Sequence, residues 1–366
     1  MIDNLTSPQS DDTTTSEPWN KLTALKEDVE YTFANAIRRH QRGDPIAPEE
    51  VLKQALALLE KACPADIPQI SEQSLRELME GYWTHIKARK NCAPTGFRAL
   101  NDALGGGLEA QRLVVLLGAP GAGKTALANQ IADHAADAGR PVLYVTSEDT
   151  PFTLLAKTIA RIGDVDYTAV LKGWETHQAK INAALASQAE RQSSDRLHYL
   201  DATNGITLAA IRSRAQEHFA RYANAGQGIL VIDYLQRLAR SQRDVLGANR
   251  DLRELVTVLT EHLRGIACEL DCCVVALASQ NRASGYGANG ASALASAKES
   301  GDIEYSADVI MALSKEDESR PGARKAGTAF IKPWILRIDK NRQGATVEKL
   351  ELDWQGDRQR FTEAIR

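Results

Sequence analysis

The chain has 366 residues, 43% of them hydrophobic and 25% charged, with a formal net charge of −4. That length suits one large α/β domain plus a smaller appendage, and the negative charge excludes a protein coated in basic surface. No apolar run approaches the roughly 20 residues of a membrane span, and five cysteines without a Cys-x-x-Cys pair suit a reduced cytoplasmic protein, neither a zinc site nor a disulfide frame.

Residues 1–19 are polar and acidic, which predicts a disordered tail and no signal peptide. Residues 20–90 read as a small all-helical region. "PEEVLKQALALLEKA" has Pro48 at an early helical position and Val51, Leu52, Ala55, Leu56 and Leu59 on one stripe. "SLRELMEGYWTHI" opens with a capping-box pattern, Ser74 to Glu77, and sets Leu75, Leu78, Met79, Tyr82 and Ile86 at helical spacing. That apolar face either closes on its own subdomain or docks on another subunit. "KNCAPTG" then reads as a linker into a main domain over residues 93–366.

From residue 113 the pattern becomes short, branched apolar runs separated by helical stretches. "LVVLL" (113–117), "PVLYVT" (141–146), "LHYLDA" (197–202), "GILVID" (228–233), "CVVALA" (273–278) and "DVIMAL" (308–313) are candidate buried strands. Most are separated by enough chain for a crossover helix, so the fold class is α/β, a mostly parallel sheet covered by helices on both faces. "WILRIDK" and "TVEKLELDW" predict an antiparallel hairpin on the sheet edge, turning near Gln343-Gly344. Segments 284–296 and 314–327, one small and Gly-rich and the other charged, read as mobile loops.

The chemistry begins at "GAPGAGKT", Gly118, Ala119, Pro120, Gly121, Ala122, Gly123, Lys124 and Thr125, which matches G-x-x-x-x-G-K-[ST] between a strand and a helical run. Its glycines turn backbone N–H groups onto phosphates and the helix N-terminus adds its dipole. Lys124 suits the β- and γ-phosphates and the Thr125 hydroxyl suits Mg²⁺. Asp233, at the end of an apolar strand, is the second candidate metal group. Glu148, after the second strand, is the candidate base for water, with the neighbouring Asp149 expected to cap the next helix. In "IDKNRQG", Lys340 and Arg342 stand two residues apart, a spacing that puts both on one face of a strand.

Taken in order, these motifs resemble one family, the replicative DNA helicases of the DnaB type with their RecA-like P-loop NTPase core. The resemblance covers roughly residues 93 to 362. It runs through "TGFRALNDALGGGL", "PVLYVTSE", "DATNGITLAAIRSRAQEHF", "GILVIDYLQRL", "VVALASQNR", "SAKESGDIEYSADVIMAL" and the closing "DKNRQG" and "LELDWQGDRQRF". Related cores such as RecA, RadA and KaiC share the early motifs but are less similar through "ESGDIEYSADVIM" and "KNRQG"; they imply the competing reading, a DNA-stimulated ATPase that does not unwind.

The resemblance implies a homo-oligomeric ring, a hexamer, that hydrolyses ATP at subunit boundaries and moves 5′ to 3′ on single-stranded DNA during replication. It implies Glu148 as the catalytic glutamate and Lys340 and Arg342 as groups acting across the boundary, Arg342 being the finger. It implies that Lys298, Glu299 and Gly301 hold DNA phosphates, Lys298 standing where the family usually has arginine. Gln280 corresponds to the glutamine that senses the γ-phosphate, one position later in an ungapped alignment. The similarity does not extend to the helical N-terminal region, so no primase or loader contact is implied.

Overall fold

The computed structural model describes residues 32–39, 74–89, 92–243, 251–279, 305–316 and 331–364, with a few single or paired positions between 41 and 54. The chain divides into two compact units, Met1–Glu80 and Gly81–Arg366. The helix expected over 48–62 lies almost entirely outside the described residues, as do both segments read as mobile loops, apart from positions 314–316.

Helix α1 (Leu75–Arg89) starts as its capping box dictates. The Ser74 backbone N–H donates to Glu77 Oε2 at 2.7 Å, and the Glu77 N–H donates to Ser74 Oγ at 3.3 Å. Its apolar side chains Leu75, Leu78, Met79, Tyr82 and Trp83 are exposed, while Ile86 of the expected stripe is half-buried.

The second unit is built on a nine-stranded sheet of order β3-β2-β4-β5-β1-β6-β7-β8-β9. Its strands are β1 (Arg112–Gly118), β2 (Val142–Thr146), β3 (Leu197–Asp201), β4 (Ile229–Asp233), β5 (Cys273–Ser279), β6 (Val309–Lys315), β7 (Ile331–Asn341), β8 (Val347–Gln355) and β9 (Arg360–Glu363). The first six pair in parallel and the last three add antiparallel. Alternation along each central strand feeds two separate cores. Val114 and Leu116 pack on one face with helix α2 (Lys124–Asp137), and Leu113, Val115 and Leu117 pack on the other with helix α3 (Leu252–Glu269). Continuous apolar runs are required because both faces are covered.

Two expectations about edges need correction. "LHYLDA" forms β3, but as a half-buried edge strand; its alternating His198 and Tyr199 suit a strand with one neighbour. The β7–β8 hairpin does not end the sheet, because β9 pairs outside β8. That strand is four residues long, too short to register as a pattern. Among the described residues no helix is long and apolar enough to cross a membrane.

Candidate functional site

β1 delivers the chain into the phosphate loop: Gly118 is its last residue and Lys124 the first of α2. Gly121 and Gly123 have φ of +77° and +83°, the left-handed region that a side chain disfavours. Gly123 is the α2 N-cap and makes no side-chain cap bond, which leaves the helix's first N–H groups and its positive dipole end for an anion. A Cβ on Gly123 would lie 3.0 Å from Phe361 Cζ. Phe361 stacks on Trp354 with ring centroids 4.3 Å apart, and its backbone exchanges two hydrogen bonds, of 2.9 and 3.0 Å, with the Gln130 amide of α2. β9 thus buttresses the loop from more than 200 residues downstream. Sequence reasoning missed this role; the aromatic pair flanking "QGDRQR" was its one signal.

Lys124 is buried, and its ammonium donates to the carbonyls of Gly118 at 2.9 Å and Ala119 at 3.1 Å. Burial lowers its pKa, opposed by the negative charges of Asp233 and Glu148. The loop lysine and both candidate carboxylates therefore share one electrostatic neighbourhood. Asp233 is level with Thr146 on the adjacent parallel strand. Burial pushes its pKa up to about 6, against hydrogen bonds from Tyr144 and Thr125 that pull the other way. The Tyr144 hydroxyl donates to Asp233 Oδ2 at 2.8 Å. In "VLYVT" that tyrosine reads as one more core residue, so its second task was not visible. The Thr125 hydroxyl and the Asp233 carboxylate are an all-oxygen pair of the kind a hard divalent cation takes, and a cation would relieve a charge that burial disfavours. The residues present fit Mg²⁺.

The direction of the Asp233 shift sets a measurable outcome. A carboxyl that holds its proton more tightly folded than unfolded costs stability as pH rises from near 4 through about 6. Asp233→Asn removes that charge at constant size. It is expected to raise the metal-free melting temperature at pH 7 by roughly 2–4 °C, with the gap shrinking at pH 5, while abolishing turnover. Calorimetric melts at the two pH values check this; an unchanged or lower melting temperature at pH 7 counts against it.

Glu148 is exposed on the loop leaving β2, which is pinned to the β4 end because the Ser147 N–H donates to the Asp233 carbonyl at 2.7 Å. The expected cap at Asp149 is a correction. Thr150 caps the helix Pro151–Ile162, its side chain accepting from the Thr153 N–H, while Asp149 pairs with Lys157 at 3.0 Å. Pro151 occupies the first helical position, so the cap falls on the residue just before it.

Lys340 and Arg342 depart from the simple strand picture. Lys340 pairs with Ile310, but Met311 pairs with Ile338, so Asp339 is an extra residue in the ladder. Arg342 lies beyond the strand, in the turn after Asn341. The two cations therefore do not alternate as members of one regular strand.

Register places Arg342 at the opposite end of the sheet from its own phosphate loop. The Arg342 N–H donates to the Asp308 carbonyl, and the Asp308 N–H donates to the Leu113 carbonyl, at 3.0 and 2.9 Å. Arg342 is thus level with the start of β1, whereas Gly118 ends it, five residues on. At about 3.3 Å per residue the separation along the strand is on the order of 16 Å, beyond the reach of an arginine side chain. Gln280, Lys298, Glu299 and Gly301 lie outside the described residues.

The model of the DnaB-like helicase C-terminal domain matches residues 92–363. The chain is 28% identical over 271 residues to the replicative DNA helicase DnaB of Pasteurella multocida, 73% of this chain and 54% of that protein. It is 28% identical over 268 residues to that of Haemophilus influenzae, with the same shares. The chain therefore spans about half the length of the curated relatives it matches. A solved structure of a separate ATPase domain superposes with a TM-score of 0.68 at 21% identity, covering 81% of this chain and all of that one. A DnaB-like replicative helicase solved to show its interactions with primase gives 0.67 at 20%, covering 93% and 76%. These two share the RecA-like fold with this chain. With the family's model matched from residue 92, twenty residues ahead of β1, to the last strand, the chain belongs to the DnaB-like helicases through their C-terminal domain.

Proposed function

We propose that residues 93–366 are the motor of a ring-forming DNA helicase that hydrolyses ATP with Mg²⁺ and moves 5′ to 3′ along single-stranded DNA in replication. The ring is a hexamer, and the description of two relatives as replicative DNA helicases supports the replicative setting. The observation that carries the reading is the separation of Arg342 from the phosphate loop of its own chain. A site that uses both groups needs two copies, one supplying the loop and the other the guanidinium.

In such a site Lys124 binds the β- and γ-phosphates while the α2 N-terminus faces the anion. Thr125 and Asp233 would hold Mg²⁺, which when bound neutralises charge on the phosphate oxygens. Glu148 orients the attacking water and accepts its proton. Arg342 of the neighbouring copy spreads its planar fork over the charge developing on the equatorial oxygens, with Lys340 as a second cation. Gln280 senses the γ-phosphate. Lys298, Glu299 and Gly301 grip DNA phosphates through charge and backbone, which reads no sequence.

The decisive assay is displacement of a strand from a fork with a 5′ single-stranded tail. Strong DNA-stimulated hydrolysis without displacement on either tail polarity would overturn the helicase reading in favour of a non-unwinding ATPase. A second expectation concerns the DNA grip. Lys298→Ala should weaken binding to single-stranded oligonucleotides of any base by a similar factor and lower the slope of log affinity against log salt by about 1. Anisotropy titrations at several salt concentrations measure it; an effect confined to one base composition would contradict a phosphate contact.

A further inference from the structure

We infer that Asp308 is the positioning residue for Arg342, fastening the finger of one active site to the root of the strand that carries the phosphate loop of the next. The inference rests on the reading of Arg342 as a group that acts on a neighbour. Asp308 is 1% exposed and stands just ahead of β6, between β1 and the β7–β8 turn. Its main chain joins the two: its N–H donates to the Leu113 carbonyl at 2.9 Å, and its carbonyl accepts from the Arg342 N–H at 3.0 Å. Its carboxylate adds a third tie, accepting the Leu113 N–H on Oδ2 at 3.0 Å.

The other oxygen, Oδ1, faces three guanidiniums: Arg264 at 3.3 Å, Arg112 at 3.5 Å and Arg342 at 3.7 Å. None of them meets it in hydrogen-bonding geometry. Glu109 takes up Arg112 from its other side at 3.2 Å. Among the described residues, three cations therefore face two carboxylates. The Arg112 and Arg264 side chains are 17% and 31% exposed, and that of Arg342 is 41%. Arg342 is thus the outermost of the three. Its root is fixed by the backbone bond, Asp308 attracts its guanidinium, and the two inner cations push it outward. A second nitrogen of Arg342 donates to the Tyr305 carbonyl. A phosphate arriving from outside meets an arginine already aimed and incompletely neutralised, so little ordering remains to be done in the transition state.

The test uses the 366-residue chain in mixed assemblies. Asp308→Asn keeps the acceptor for Leu113 and deletes the charge. It should lower turnover at least about tenfold with nucleotide affinity, read by fluorescent-nucleotide titration, unchanged. Mixing Glu148→Gln with Arg342→Ala provides the reference, because some boundaries regain an intact Glu148 and an intact Arg342. If that mixture, shown to co-assemble, does not recover, the finger reading itself falls. If it recovers, Asp308→Asn should recover activity with Glu148→Gln and not with Arg342→Ala, as a defect confined to the finger side requires. Recovery with Arg342→Ala would mean that the defect lies on the phosphate-loop side. Recovery with both partners, or with neither, would mean a general structural role. Each of these overturns the inference. Should Asp308→Asn fail to assemble, Asp308→Glu goes through the same mixtures, read in the same way.

Discussion

Arg342→Ala is expected to lower nucleotide turnover by about 10³–10⁵-fold while leaving nucleotide affinity nearly unchanged. The arginine is about 16 Å along the strand direction from the loop of its own chain, so it contributes nothing to binding there. In the proposed ring its contribution on the neighbour falls on charge that appears as the γ-phosphate departs, and a group that acts only there changes kcat and spares affinity. Arg342→Lys should recover little, since an ammonium cannot span two equatorial oxygens as a guanidinium does. The check is steady-state hydrolysis beside fluorescent-nucleotide titration, on protein shown by native mass spectrometry to keep its oligomeric state. Loss of affinity in parallel with turnover would mean that Arg342 helps to hold ground-state nucleotide, against the assignment.

Lys124→Ala is the second large effect, and its pattern differs. The ammonium already binds two loop carbonyls in a buried position, so its removal disturbs the cradle as well as the phosphate contact. Both binding and turnover should fall, turnover by on the order of 10²–10³-fold or more. Burial disfavours the charged form of this lysine, so the folded protein should lose little stability. A thermal melt within a few degrees of the parent's, together with absent nucleotide binding, is the expected pair of results. Nucleotide binding at parental affinity would remove the loop from the mechanism.

Much of this architecture was legible in the sequence, and for one reason: strands covered on both faces are written as short, largely apolar runs. β1, β2, β4, β5 and β6 each declare themselves that way, and the phosphate loop follows β1 directly. The resemblance over residues 93 to 362 coincides with the family model over 92–363. What was illegible depended on contacts far apart in the chain. β9 is too short to carry a pattern, and its value lies in Phe361 meeting Gly123. Tyr144 looked like core because its ring is core; only its hydroxyl meets Asp233. The helix cap moved from Asp149 to Thr150 through a local rule, proline at the first helical position, that is itself readable in the sequence. Asp308 drew no attention in "SADVIM" because its three arginine neighbours come from three separate segments.

In the proposed ring, a sheet with its phosphate loop at one end and its arginine at the other gives each copy a giving side and a receiving side. If each copy gives its arginine to one neighbour and receives one from the other, as the proposed ring requires, the copies associate head to tail, through unlike surfaces. An open row always retains one loop without a neighbour's arginine, and only closure of the row makes every site whole. Catalytic output should therefore climb faster than protein concentration during assembly and become proportional to it once rings are closed.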